Sequence, residues 1–392
     1  GLMRVILATI VAAFLLTPIQ AEEPNAADKY REAASLVDYP SPGPSDEFDT
    51  VLRHGWEGSH PALEAVLEKN GPALDCMKRI GEWKRCEFLP DAEVAYATKS
   101  PHIWPLRKLA MVGALKARLD ASEGRLADAA AWFLRVIRLA QGVANDRFVI
   151  SRMIECAILD LAADGLLDIV RSPSCDSATL CEVERVLDEY ITLHRPCARA
   201  IELDRQMALH ITDEVFLAKP EHYASLAVAP SELADAIRKG DLETRKQWRE
   251  EARTLLDDWY ARARAASAPG NHADFALLAE EARKARESPA DPAEEWFVTI
   301  ATDFAPIARV LSRCEAVVQG MRILAAVALY RADTKKPPAA LADLVPNYLP
   351  SVPNDPFDGK PIRYAADGEG CRAWSIGADL LDGGGEKADD QG

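Results

Sequence analysis

The sequence is short of the features that announce chemistry. Its histidines are scattered at positions 54, 60, 102, 194, 210, 222 and 272, with no His-Glu-x-x-His helix to hold zinc and no Cys-x-x-Cys pair. No Gly-x-Ser-x-Gly elbow exposes a nucleophilic serine. Positive charge is the minority sign: 46 Lys and Arg stand against 62 Asp and Glu, for a formal charge of −16. Such a surface argues against nucleic acid or anionic lipid as a partner, because both demand clustered Lys and Arg against phosphate. After residue 16 no apolar run approaches the roughly 18 residues of a membrane helix. Alternating strand patterns are missing before residue 350.

What is present begins with the amino terminus. Arg4 precedes an unbroken apolar run from Val5 to Leu16, followed by Thr17-Pro18-Ile19-Gln20-Ala21 and then Glu22-Glu23-Pro24. A positive start, a short apolar core and a small residue at the exit have the form of a secretory signal peptide, 1–21, cleaved after Ala21. The expected location is periplasmic or secreted, with no integral membrane segment after signal cleavage. Export permits disulfides among the eight cysteines. Cys76 with Cys86, and Cys175 with Cys181, are close enough in sequence to close short loops. Cys156 and Cys314 fall inside helical patterns, where a thiol behaves as a small hydrophobe.

From Asn25 to about Gly320 apolar residues recur with helical period. Positions 106, 109, 112, 115 and 119 form one stripe, Gly124 interrupts, and Leu126, Ala130, Phe133, Leu134, Ile137 and Ala140 form the next. That spacing predicts an αα-hairpin. Gly124, Ala129, Phe133 and Ile137 resemble the second half of a tetratricopeptide repeat, but no second copy follows at that family's period of about 34 residues. Further helices are expected over about 148–169, with Ile150, Met153, Ile154, Ala157, Ile158 and Leu161 on one side, and from Ser177 as N-cap. Others are expected over 196–216 and 242–265. The fold class is mainly α: an array of antiparallel helices over 22–292, then over 293–392 a long helix and a small C-terminal α+β module with a β-hairpin. That hairpin is expected around Ile362-Arg363-Tyr364 and Cys371–Ile376, with its turn at Asp367-Gly368.

Two resemblances follow from local phrases. Asn70-Gly71-Pro72-Ala73-Leu74, Lys84-Arg85-Cys86-Glu87-Phe88 and Glu123-Gly124-Arg125 resemble uncharacterised exported helical proteins of bacteria, a likeness that carries no function with it. The last ~70 residues resemble the C-terminal region of the major pseudopilin (protein G) of type II secretion. The shared pieces are a helix ending near Tyr330, Pro337-Pro338, Asp355-Pro356-Phe357, Pro361-x-x-Tyr364 and Ser375-x-Gly377-Ala378-Asp379 before a Gly- and acid-rich tail. That resemblance implies a Ca²⁺ site at Asp379, Asp389 and Asp390, with Asp382 a nearby candidate, since Ca²⁺ takes several hard oxygens. Phe357 stands where the family usually has Trp. The amino terminus also lacks a prepilin cleavage site, so assembly into a pseudopilus by the family's route is not expected.

The remaining candidates have plain structural readings. His194-Arg195-Pro196-Cys197 reads as a turn rather than a zinc half-site, and Glu202 with Arg205 as an ion pair on one helical face. No catalytic residue is assigned. The function expected is that of a non-catalytic exported scaffold that binds protein partners. Two alternatives stay open: an accessory part of a type II secretion or surface-assembly apparatus, and an envelope-polymer hydrolase. The hydrolase would need two carboxyl groups about 5–9.5 Å apart in one cleft, drawn from separate helices.

Overall fold

A computed structural model describes residues 24–38, 46–89, 101–146, 148–192, 197–217, 231–268, 270–367 and 370–385. The expected signal peptide and residues 386–392 lie outside them. The chain is mainly helical, with one two-stranded antiparallel sheet near the C-terminus. In chain order the helices are α1 (Ala26–Ser35), α2 (Asp46–His54), α3 (Pro61–Lys69), α4 (Gly71–Lys78), α5 (Ile103–Ser122), α6 (Leu126–Ala144), α7 (Val149–Arg171), α8 (Ser177–Thr192) and α9 (Ala198–Leu217). There follow α10 (Ser231–Lys239), α11 (Leu242–Ala266), α12 (His272–Glu287), α13 (Pro292–Ile300) and α14 (Phe304–Thr334), then β1 (Arg363–Asp367) and β2 (Gly370–Trp374).

The sequence explains where helices start. Side chains of Asn25, Asp241, Asp291 and Asp303 each accept a hydrogen bond from a first-turn N–H, satisfying donors that have no partner inside the helix. At α8 the cap is Asp176 rather than Ser177. Its Oδ1 accepts from Thr179 N–H at 2.7 Å, and Ser177 is already the first helical residue. The α5–α6 hairpin forms as its pattern predicts, turning at Gly124 with φ +78°. Leu106, Leu109, Val112 and Leu115 are buried against Phe133, Val136 and Ile137.

Helix α14 is the axis of the molecule. Phe304, Ile307 and Ala308 at its start pack with α11 and α12; Cys314, Val318 and Met321 enter the core of α5–α8. Ile323, Ala326 and Val327 support the C-terminal module through Leu341, Leu344, Leu349 and Ile362. One rigid rod therefore fixes the module relative to the array. The hairpin pairs Arg363 with Trp374 and Asp367 with Gly370, in the region the sequence pointed to.

Helix α7 is rotated from the face its apolar pattern suggests. Ile150 is half exposed, and Met153, Ile154, Ala157 and Leu161 are only partly covered. Of the expected stripe Ile158 is fully buried, but most of the buried face is Ser151, Arg152, Glu155, Cys156, Leu159, Ala162 and Leu166. Small residues on that side admit close neighbours: Gly165 gives its space to the Phe133 ring. Arg152 and Glu155 are paired, which lowers the cost of burying either. The two local disulfides are not formed. Their cysteines point elsewhere, Cys76 being directed at the Lys29 carbonyl and Cys86 packed on Gly142.

Candidate functional site

The acidic end is organised by loop geometry. Asp379 is exposed, and its Oδ1 accepts from Leu381 N–H at 3.1 Å, closing a turn. Asp382 accepts from the Trp374 indole at 2.9 Å and from Gly384 N–H at 3.0 Å, and lies 3.8 Å from the Arg363 guanidinium. The indole N–H, followed by that backbone N–H, holds its carboxyl below the usual range. Asp389 and Asp390 lie outside the described residues. Among the described residues no three His, Cys, Asp or Glu side chains converge as a metal-ligand group.

The Asp355-Pro356-Phe357-Asp358-Gly359 phrase forms a buried knot. Asp355 is fully buried and accepts from Phe357 N–H at 3.0 Å, Ile376 N–H at 2.9 Å and the Ser375 hydroxyl at 2.9 Å. Arg363 donates to Asp355 at 2.8 Å and to Asp358 at 2.5 Å. These contacts tie the loop to β1 and to the segment that leaves β2. The knot is pressed on the α11–α12 turn, where Gly270 (φ +87°) faces Gly359 so closely that an added Cβ would lie 3.2 Å from its Cα. His272 meets the Phe357 ring edge-on at 4.8 Å.

Where the module meets the array there is a cavity of about 270 Å³. Phe275, Phe304 and Leu311 give it an apolar wall, and Arg152, Glu315, His272, Ser312 and Cys197 its polar one. Arg152 lies 2.6 Å from Glu155, whose other oxygen accepts from the Tyr190 hydroxyl. Burial pushes the Glu155 carboxyl upward, while Arg152 and the Tyr190 hydrogen bond pull the other way. Burial also raises Glu315, lifts the Cys197 thiol to about 11 and, with Arg309, lowers His272.

This set does not assemble a known reaction centre. Ser312 Oγ and His272 Nδ1 are 3.5 Å apart, longer than the ~2.6–3.2 Å of an activated nucleophile, and no carboxylate among the described residues orients the ring. Cys197 has too high a pKa to be a ready thiolate. Glu155 is sealed beneath Arg152 and Tyr190, so Glu315 is the one carboxyl among the described residues on the cavity wall. Glu202 and Arg205 form the ion pair expected of them, with Nη2–Oε1 at 2.7 Å. His210 is exposed beside Glu214. A second cluster lies elsewhere: His102 Nε2 meets Asp146 at 2.6 Å under the Phe88 ring, with the Cys86 thiol pushed up by burial nearby. It is enclosed in the core.

A wider groove of about 630 Å³ runs between the end of α7, the start of α8, the end of α14 and β2. Leu180 and Val327 form an apolar floor, and Arg171, Arg331 and Arg372 stand along its walls. Arg372 lies over the Trp374 ring, and none of the three guanidiniums meets a carboxylate among the described residues. The groove's arginines come from three distant segments, so no local motif betrays them. Arg152 and Glu155 were detectable only as an i,i+3 opposite-charge pair inside an apolar helix. No family model, no curated protein and no solved structure matches the chain.

Proposed function

We propose that the chain is an exported, non-catalytic binding scaffold whose arginine-lined groove takes an acidic segment of a protein partner. The observation that carries this reading is the set of three exposed arginines that meet no carboxylate among the described residues, gathered on one groove of a chain with an excess of 16 negative charges. Many other surface arginines are paired, as in Arg185 with Glu182 and Arg283 with Glu280. The exposed Arg53, Arg79, Arg199 and Arg309, which meet no carboxylate among the described residues, do not line this groove. An acidic peptide lying along the groove would complete the charge pairing of Arg171, Arg331 and Arg372. Charge complementarity of this kind sets orientation and encounter rate more than raw affinity. The pseudopilin-like module contributes one wall through β2, so groove width depends on the module staying docked.

The test is fluorescence anisotropy of a labelled Glu/Asp-rich peptide against the purified protein at low and at physiological salt. Binding should weaken with salt and fall about tenfold or more in an Arg331→Glu/Arg372→Glu variant, since a tenfold loss is only about 1.4 kcal/mol. A basic peptide of the same length should not bind. Equal binding by the charge-reversed variant, or no binding by wild type, would sink the assignment.

A further inference from the structure

Helices α7 and α14 bring two thiols together from opposite ends of the sequence. Cys156 and Cys314 are both buried in the same core, where α7 packs against α14, close enough that Cys314 is the largest influence on the Cys156 thiol. Cys156 Sγ is also 4.0 Å from the Val310 carbonyl, one helical turn before Cys314. The register is pinned on either side. One turn earlier on α7, Arg152 shares a cavity wall with Glu315; one turn later, Asp160 pairs with Arg313 at 2.5 Å.

We propose that Cys156 and Cys314 are joined in the mature protein as a disulfide that staples α7 to α14. The proposal goes beyond the binding groove and rests on the export reading for an oxidising compartment. The oxidant is a disulfide of the exchange class, either a small-molecule disulfide or an oxidoreductase. The Cys156 thiolate attacks one of its sulfurs, forming a mixed disulfide and releasing one thiolate. The Cys314 thiolate then attacks Cys156 Sγ and displaces the second. Two thiols are oxidised to one disulfide, the oxidant is reduced to two thiols, and the two protons pass to the departing thiolates.

The site also dictates when this happens. The neighbouring Cys314, together with burial, pushes the Cys156 thiol far above its ordinary pKa, so the folded chain holds almost no thiolate there. Exchange therefore belongs to folding, before the α7–α14 interface closes. Once formed, the bond is shielded from reductant by the same packing. It closes a loop spanning residues 157–313, long enough to restrict the unfolded chain substantially.

The experiment is to refold the urea-unfolded full chain with reduced and oxidised glutathione, block free thiols, and map peptides by mass spectrometry. A linked Cys156–Cys314 peptide is expected, reducible by dithiothreitol only when urea is present. Oxidised protein should melt about 5–10 °C above reduced protein, a gap that vanishes in Cys156→Ala/Cys314→Ala. Free Cys156 and Cys314 in the refolded protein, or either one paired elsewhere, would overturn the proposal. The glutathione assay does not depend on location, so failure there condemns the pair. A linked peptide on refolding, with free thiols in protein recovered from its native cells, would instead condemn the export reading.

Discussion

Asp355 in the C-terminal module and Glu155 in the helical array are both buried carboxylates facing an arginine, yet different parts of the chain replace their water. Asp355 sits in a loop and collects two backbone N–H groups, a serine hydroxyl and Arg363. Glu155 sits mid-helix, where the neighbouring N–H groups are spent on the helix itself, and is met by the Tyr190 hydroxyl and Arg152. Backbone donors in a formed loop are already oriented, whereas each side chain recruited to a buried charge must be desolvated and immobilised. The module therefore uses its buried charge as a fastener. The array carries its own as a cost, visible in the upward pull of burial on Glu155 and Glu315.

Removing the fastener should have the largest effect. Asp355→Ala strips acceptors from two backbone N–H groups and one of three carboxylate partners from Arg363, at a cost of about 3–5 kcal/mol. Because the array has cores of its own, we expect the module to loosen first. Trp374 emission and protease sensitivity between residues 345 and 380 should change at low urea, while far-UV ellipticity persists. A single transition unchanged from wild type would mean that the knot is not what holds the module.

The same contrast explains how much could be read in advance. The α5–α6 hairpin was legible because Gly124 breaks two clean apolar stripes, and local pattern decides such a turn. The β-hairpin was legible from its two short segments, while Gly368 of the expected turn lies outside the described residues. The role of Asp355 was half visible: its motif was recognised, but its partners at Ile376 and Ser375 lie some twenty residues away. Arg152, Glu155 and the face of α7 were not legible. Apolar periodicity places charged residues outside, and only the tertiary pairing with Tyr190 reverses that. The groove arginines and the cavity belong to the same class, since each is assembled from elements far apart in sequence.

A packing change separates the array's core from its charges. Gly165 lies where any Cβ would intrude on the Phe133 ring, so Gly165→Ala forces α6 and α7 apart despite the better helix propensity of alanine. The expected loss is about 1–3 kcal/mol of array stability, read from the urea midpoint of far-UV ellipticity. The module's Trp374 signal should move with it only if α14 transmits the disturbance. A stabilised Gly165→Ala variant would show that Phe133 has room to turn away and that the close approach is not required.

The smallest effect should have the opposite sign. Burial raises the proton affinity of Glu315 in the folded chain above that of an ordinary glutamate. Between the unfolded and the folded values the folded state binds more protons, so stability falls as pH rises through that window. Below it both states are protonated and nothing is lost; above it the cost of a charged, desolvated carboxyl is present in full. Glu315→Gln keeps the shape and removes the charge. Its urea midpoint should match wild type near pH 4 and exceed it near pH 8 by an amount on the order of 1 kcal/mol. The reverse result at pH 8, a variant less stable than wild type, would mean that ionised Glu315 and Arg152 attract more strongly than burial penalises them. The array's charges would then be fasteners like Asp355, and the distinction between the two regions would fail.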